Sequence, residues 1–462
     1  MKKKSIKILL IALAVLVLYI LFNQIDTKAT PPEQYQATRP LTADDGFYLL
    51  CALAEPAGVD ISNPQIVKTY DNLFAAKSKI ENFNEHFKSQ KEKNPLFSGG
   101  SEGEKESQAI SWANDYRQNN CLHVLQYRET LQRMKEEKRV FIERYERMLA
   151  SNTFNDLSTI NHAGSTVVPL LNWLRMTKLY SFLQVLEALD GNWQPAVANL
   201  IQQINFVKRH NRSSRLLITN LIFKAVAKIP LWELAELMNQ PNCPDEVYEQ
   251  ILQGLPDMTY EQFGTTSLET YEGLPGIRRH FQSGDFLKKL SWFEKILGKL
   301  IMQTNRTQRY FENYYLHLVR YEKTPPYQWE GDFKPENPQR GLLWWLQNPM
   351  GKIMYSNHLK REGSGGPAMI LKSYSLLSTH DMVRISADLH IHYNADKSIE
   401  ENLKGLKTYQ TLLDPCSGKP YIFNQKKQIL YGIGTDLDDD GGKGEPITSL
   451  DTDFVLPLRL KK

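Results

Sequence analysis

Three carboxylates alternate near the C-terminus, at Asp436, Asp438 and Asp440, and two glycines follow them. We call residues 436–442 the acidic loop. Alternate carboxylates followed by a turn that glycine makes easily are typical of the start of a calcium-binding loop. The loop departs from an EF-hand, because position twelve holds Ile447 where an EF-hand has glutamate. The pattern predicts calcium bound by the three carboxylates, and a solvated acidic loop is the alternative.

A second pattern, Asp388–His392, places two histidines just after an aspartate, as in amidohydrolase metal sites. Such sites open a barrel that needs about 200 further residues, far more than remain here. The neighbouring apolar residues also fit a helix, on which His390 and His392 diverge by about 200°. We therefore expect these histidines to pack on a helix or to face solvent, without a shared metal.

The glycine-rich runs predict turns. Gly363–Pro367 places Ser364 among glycines, as around the nucleophile of serine proteases, but no acidic residue precedes that serine. The helical periodicity of the chain also disagrees with the β-barrels of those proteases. Gly441–Gly444 lacks the Ser or Thr of a phosphate-binding loop. No catalytic residues are therefore predicted, and the alternative is a hydrolase whose dispersed His and Asp/Glu residues meet on folding.

The N-terminal segment predicts membrane insertion. Four lysines at positions 2, 3, 4 and 7 precede fifteen consecutive apolar residues, Ile8–Phe22, among which Tyr19 alone has a polar tip. Residues 5–25 approach the ~20 residues that cross a bilayer. We predict an uncleaved signal anchor with the N-terminus in the cytoplasm and the body outside the inner membrane, which is the periplasm in a Gram-negative cell. A cleaved signal peptide is the alternative.

The charge distribution supports this division of the chain. The 462 residues contain 56 Lys+Arg and 52 Asp+Glu, and the whole excess lies in the first seven residues. Residues 26–462 are neutral and have ordinary globular composition. This balance excludes nucleic acid as a main partner, because phosphate binding needs a basic surface. Residues 436–453 nevertheless concentrate seven acids against one lysine.

The four cysteines leave two readings open. Cys51, Cys121, Cys243 and Cys416 are widely spaced and form no CxxC redox or zinc pattern. One or two disulfides are compatible with an oxidising compartment. Four buried thiols are equally compatible with the spacing.

Between a linker at residues 27–45 and about residue 410, the periodicity is helical, with residues 88–108 read as a loop. Cys121–Ala150 predicts one long amphipathic helix. Val167–Leu189 is apolar on nearly all sides and predicts a core helix, which turns at Gly191 into a second helix. The further predicted helices are Trp193–Val207, Arg215–Lys228, Leu231–Met238, Asp245–Gln253, Phe286–Met302, Gln308–Tyr321, Gly341–Asn357, Met369–Tyr393 and Ile399–Leu413.

The last fifty residues change character. The runs Tyr421–Phe423, Gln428–Ile433 and Phe454–Leu458 are short and β-type, and Gly, Asp and Lys residues separate them. They predict a small antiparallel unit. The fold class is therefore mainly α, with an N-terminal transmembrane helix (residues 1–26), an α-helical body (46–365) and a small C-terminal α+β hairpin module (366–462).

Parts of this tail resemble a known family. Asp414–Tyr421, Ile429–Asp436, Asp438–Gly442 and Asp453–Val455 are similar, in order and type, to the C-terminal module of type II secretion pseudopilins. That resemblance implies a small sheet packed against a helix, with a loop that binds calcium in the major pseudopilin.

The body also resembles a family of uncharacterised proteobacterial single-pass membrane proteins, through Pro40–Gly58 and Asn348–Lys352. This resemblance implies a location and no activity. We therefore expect a non-enzymatic interaction or assembly protein of the secretion or envelope machinery, anchored through residues 5–25, with protein partners of unknown identity.

Overall fold

The protein is mainly helical and carries a small antiparallel sheet near its C-terminus, as predicted. The computed structural model describes residues 17, 19, 40–75, 101–111, 120–158, 160–161, 164–165, 170–264, 277–278, 281, 302–329, 348–362, 365–434, 438–443 and 453–460. The predicted helix Phe286–Met302 lies outside these residues except for its last position, Met302. The loop proposed for residues 88–108 is also outside them up to residue 100.

The described elements are numbered here in chain order. The helices are α1 (Gly46–Ala52), α2 (Pro64–Ala75), α3 (Ser101–Ala109), α4 (Asn120–Gln126), α5 (Arg128–Glu137), α6 (Arg139–Ala150), α7 (Leu170–Leu189), α8 (Trp193–His210), α9 (Leu217–Met238), α10 (Asp245–Gly254), α11 (Tyr260–Phe263), α12 (Thr304–Glu322), α13 (Pro349–Glu362), α14 (Gly365–His392), α15 (Ile399–Gly405) and α16 (Lys407–Thr411). The strands are β1 (Ile160–Asn161), β2 (Gly164–Ser165), β3 (Ile422–Asn424), β4 (Ile429–Gly432) and β5 (Phe454–Pro457).

The predicted core hairpin is confirmed. Helix α7 buries residues on all sides, which agrees with its lack of a polar face. Gly191 ends it with φ +99°, a conformation that glycine adopts without strain, and α8 starts two residues later. Trp173 of α7 then packs edge-on against Phe206 of α8 and Phe223 of α9, which fixes three helices around one aromatic cluster.

The prediction of one helix over Cys121–Ala150 is wrong in its continuity. The helix breaks at Tyr127 and again at Lys138, where ψ is 16° and 13°. The breaks let three short helices follow different neighbours: α4 packs on α7 and α9, α5 on α3 and α7, and α6 on α1. Periodicity cannot show such breaks, because the apolar spacing continues across them.

The two predicted helices Arg215–Lys228 and Leu231–Met238 are one continuous helix, α9, which runs through Pro230. The ring removes one backbone hydrogen bond, yet α9 is packed between α7, α8 and α14, and this burial favours continuity.

Three smaller predictions need correction. Residues 101–109 form helix α3 where a loop was expected. Ile399–Leu413 divides into α15 and α16, since Leu406 between them is extended. The pair β1–β2 is antiparallel and was not anticipated.

Helix α14 packs against α9, α10, α11 and α12 on the body side, and against β4 and β5 on the tail side. One hydrophobic cluster consequently runs from Leu41 to Leu458. The division of domains at residue 365 remains a prediction, with α14 providing the packing surface for both parts.

The four cysteines are buried thiols, so the second of the two readings is confirmed. The membrane segment proposed for residues 5–25 lies outside the described residues except for Val17 and Tyr19, which are helical. Within the part of the chain that the structure describes, no helix combines the length and apolar character that a bilayer crossing requires.

Two acidic side chains are buried where α4 meets α9. Glu233 is fully buried and its Oε1 accepts a hydrogen bond of 3.1 Å from Asn120 Nδ2. Burial raises the pKa of Glu233 well above its usual range, and the nearby Glu236 raises it further. Burial also raises the pKa of Glu236 to about 7, against the opposing charge of Arg459. Burial therefore shifts both carboxyls towards the protonated form in the folded state.

We expect Glu236 to make stability depend on pH. A carboxyl whose folded pKa is raised stabilises the fold fully below its unfolded pKa, and that contribution is lost as pH rises to about 7. Between pH 5 and pH 8, the loss of stability seen in urea unfolding should therefore be smaller in Glu236→Gln than in the native protein, by on the order of 2–3 kcal/mol, from ~1.4 kcal/mol per pKa unit. The remaining pH dependence comes from Glu233 and the other buried titratable groups, and Glu249→Gln, an exposed control on α10, should behave as the native protein does. An unchanged pH dependence in Glu236→Gln would contradict the assignment.

Candidate functional site

The acidic loop follows a three-stranded antiparallel sheet of order β3-β4-β5. A four-residue connection joins β3 to β4, and Asn424 caps it by accepting hydrogen bonds from the amides of Lys426 and Lys427. Strand β4 is buried throughout and lies between the other two. The loop therefore leaves the central strand and returns to the sheet at β5.

Asp414 fixes the start of this unit. Its carboxylate accepts hydrogen bonds from the amides of Cys416, Ser417 and Ile433 and from the Ser417 hydroxyl, at 2.7 to 3.3 Å. Burial raises the pKa of Asp414, and these hydrogen bonds oppose the rise. A Cβ at Gly432 would lie 2.9 Å from Asp414 Oδ1, so this approach requires glycine. Asp414 thus joins the turn before β3 to the end of β4.

Tyr421 connects the same turn to the body. Its ring is buried, and its hydroxyl donates to Asp381 Oδ2 of α14 at 3.5 Å. Gly418 has φ +67°, and its amide donates to the Asp414 carbonyl at 2.7 Å. Several residues of the run Asp414–Tyr421 therefore have structural roles, since they position the sheet on α14.

The acidic loop depends on two left-handed glycines. Gly441 and Gly442 both have φ +68°. A side chain at Gly442 would clash with Ile429 of β4, so the backbone reaches the sheet only because this residue is glycine. Lys427 Nζ donates to the carbonyls of Gly441 and Gly442, each at 2.8 Å. The ammonium group of Lys427, in the connection between β3 and β4, thereby holds the backbone of the acidic loop.

Asp453, directly before β5, is the buried carboxylate at this loop. It is fully buried, and its Oδ2 accepts from the Gly442 amide at 2.7 Å. Burial raises its pKa, amides of Gly442 and Asp440 lower it, and the charges of Asp439 and Asp440 raise it again. Its Oδ1 is buried and makes no hydrogen bond within the described residues. A buried oxygen of this kind is a suitable ligand for a hard cation.

The predicted ligands are placed only in part. Asp438 is exposed and Asp440 half-buried, whereas Asp436 lies outside the described residues. Asp439, between them, accepts hydrogen bonds from the Tyr431 hydroxyl at 3.1 Å and the Gly441 amide at 2.8 Å. Among the residues the structure describes, no group of three or more His, Cys, Asp or Glu is arranged to hold a metal. The calcium site therefore stays a prediction.

Asp453 was missed as a ligand candidate. The alternating carboxylates lie at one end of the acidic stretch, residues 436–453, and Asp453 lies at the other end. The pairing of β5 with β4 brings Asp453 back to the acidic loop. Its position immediately before a β-type run, at the close of residues 436–453, is the signal that could have indicated it.

The two histidines of the second sequence pattern have different surroundings. Both lie on α14, where His390 stacks on Tyr248 with ring centroids 4.4 Å apart. His392 Nδ1 lies 2.8 Å from Asp388 Oδ1, but its side chain is 61% exposed at the end of the helix. The His392 side chain therefore lies at the surface and not in a deep pocket.

A cationic cluster between α9 and α14 was not anticipated. Lys228 Nζ donates to Ser375 Oγ at 2.8 Å, and burial lowers the pKa of Lys228 to about 8. One turn earlier, burial lowers the pKa of Lys224 to about 7, and the charge of Glu322 opposes that shift. Ser375 lies within a continuous helix whose amides bond along the helix, which leaves none to stabilise an oxyanion. The contact between Lys228 and Ser375 joins α9 to α14.

Comparison with known proteins gave no family profile, no curated protein and no solved structure that matches this chain.

Replacing Asp414 should loosen the sheet. In Asp414→Ala, the buried amide of Cys416 and the half-buried amides of Ser417 and Ile433 lose their acceptor, which should lower the free energy of unfolding by about 2–4 kcal/mol. Hydrogen exchange should accelerate at least tenfold across residues 414–433 while α7 and α8 keep their protection. Asp396→Ala, at an exposed turn, serves as the control. Equal exchange in both variants would show that Asp414 does not hold the sheet.

Proposed function

We propose that this protein is a non-enzymatic interaction or assembly protein of the secretion or envelope machinery. Residues 5–25 anchor it in the inner membrane as a single pass, with the N-terminus in the cytoplasm and the helical body and tail in the periplasm. The lysines before the apolar run, and the neutral charge of the rest of the chain, support this topology. The tail presents its acidic loop to solvent for calcium and for protein partners.

The observation that carries the proposal is the buried Asp453 carboxylate beneath the acidic loop. Its Oδ1 lacks a hydrogen bond within the described residues. The negative charges of Asp439 and Asp440 lie near enough to raise its pKa. Leaving such an oxygen unpaired costs about 1–3 kcal/mol, which a bound cation would offset. The donor set is carboxylate oxygen throughout, the type that calcium prefers.

Asp436, Asp438 and Asp440 would supply ligands from one end of the stretch, with Asp453 as a fourth from the opposite end. Calcium at these residues would neutralise like charges that otherwise repel one another and would hold the loop against β4 and β5. Lys427 already bonds two loop carbonyls, so the chain supplies part of the positive charge itself. We therefore infer a weak site of the extracellular type, with Kd on the order of 10⁻⁴–10⁻³ M.

The competing hydrolase has weaker support. It requires a histidine and a carboxylate together in a cleft, and in the His392–Asp388 pair the carboxylate is buried while the histidine side chain is exposed at the end of α14. His380 contacts Asp381 at 3.3 Å, but both side chains are enclosed by the core.

Calorimetry on the full-length protein in detergent tests the calcium site. We expect saturable binding between 0.1 and 1 mM calcium, the range of the inferred affinity. Asp438→Asn and Asp453→Asn should each weaken binding at least tenfold, because each removes a charged ligand. Asp396→Asn, at an exposed turn before α15 and outside the acidic loop and the sheet, should bind calcium as the native protein does. No binding at 10 mM calcium, or equal affinity in all four proteins, would refute the site.

Reporter fusions test the topology. Alkaline phosphatase joined after Lys462 should be active, because it folds only outside the cytoplasm, and green fluorescent protein at the same position should be dark. Deleting residues 5–25 should reverse both signals. Fluorescence from the intact fusion would contradict the proposed orientation.

A further inference from the structure

A groove runs between α5 and α6 on one side and the α7–α8 hairpin on the other. We call it the α6–α8 groove. It encloses about 360 Å³, which falls within the usual range of ligand sites, and it opens to solvent along one side. It is far from the acidic loop in sequence and uses none of the residues discussed above as metal ligands. Its floor is apolar, formed by Ile142, Leu183 and Ala196.

A buried hydrogen-bond network lies behind the floor of the groove. Tyr145 of α6 bonds to Thr177 of α7 at 2.9 Å and donates to Gln203 of α8 at 3.0 Å. Gln203 also bonds with Ser181 of α7. Three of the four helices that line the groove, α6, α7 and α8, are thus joined to one another by fully buried polar groups. A preformed groove of this kind binds with little cost in conformational entropy.

Two side-chain amides on the wall match a peptide backbone. Asn199 Nδ2 donates to Gln184 Oε1 at 2.9 Å. The Gln184 NH₂ group and the Asn199 Oδ1 atom then have no partner within the described residues. If the O and N atoms of both amides were exchanged, one NH₂ group and one carbonyl oxygen would still be left. An extended peptide offers a C=O and an N–H that complement this pair.

The charges of the groove favour a cationic side chain. Glu187 is already paired, since Lys135 and Asn192 donate to its two oxygens at 2.6 and 2.9 Å. These hydrogen bonds lower the pKa of Glu187. Glu146 accepts a hydrogen bond of 3.2 Å from the Tyr180 hydroxyl and has no ion-pair partner among the described residues. With two carboxylates and one ammonium, the groove carries one net negative charge at Glu146.

We propose that the α6–α8 groove binds an extended peptide segment of a protein partner, with a lysine or arginine of that segment seated at Glu146. Ile142, Leu183 and Ala196 contact an apolar neighbour of the basic residue, and Gln184 and Asn199 hydrogen-bond the peptide backbone. This assignment gives the partner a chemistry and rests on the interaction role proposed above, but it does not rest on calcium.

Selection from a phage library of random hexapeptides, with the full-length protein in detergent, tests the site. Recovered peptides should be enriched in Lys or Arg at one position next to an apolar residue. A synthetic copy of the strongest peptide should bind at least tenfold more weakly to Glu146→Gln and to Asn199→Ala. Glu143→Gln, on the outer face of the same helix, should bind as the native protein does.

Two results would overturn the proposal. One is recovery of no binding peptide, or of peptides without a basic preference. The other is a selected peptide that binds Glu146→Gln and Asn199→Ala as tightly as the native protein.

Peptide binding to the native protein should be equal in EDTA and in 1 mM calcium. The two proposals can fail independently of each other. Calcium calorimetry on Glu146→Gln should give the native affinity even if no peptide binds the groove. Peptide binding should likewise persist even if the protein binds no calcium.

Discussion

The structure depends on burying a helix that is unusually polar for a core. The buried polar side chains of α14 are Ser373, Ser375, Ser378, Thr379, His380, Asp381, Arg384, Ser386 and Asp388. A buried polar group is costly unless it finds a partner, and several neighbours of α14 supply one. Lys228 of α9 bonds Ser375, Asp257 after α10 pairs with Arg384, and Thr408 of α16 donates to Asp388. These directional contacts fix how the surrounding helices are placed.

The same requirement positions the tail. Ser378 and Asp381 receive partners from Asp414 and Tyr421, both in the run that precedes the sheet. The sheet is therefore oriented by polar contacts on α14 as well as by the apolar cluster. Asp453 then reaches the acidic loop because β5 pairs with β4 in a register that opposes Gly432 and Phe454. The geometry of the loop follows from contacts made far from it in sequence.

Periodicity predicted most helices to within a few residues, since burial of one face is a local property of the sequence. It failed where tertiary contacts compete with local preference. Tyr127 and Lys138 break an uninterrupted amphipathic pattern because the segments face different neighbours, and Pro230 is tolerated because α9 is enclosed. The acidic loop was found from spacing alone, but Asp453, which completes its buried side, was not. The α6–α8 groove has no sequence signature, because its walls come from four helices.

The sequence by itself determined the helical class, the core hairpin, the short C-terminal strands and the place of the acidic loop. Each of these depends on spacing, apolar runs or glycine positions within one segment. Only the tertiary structure decided that four cysteines stay thiols, that Asp414 bonds across the sheet, and that Glu146 faces a groove. These features require residues distant in the chain to meet, and burial and hydrogen bonding of the whole chain determine which of them do.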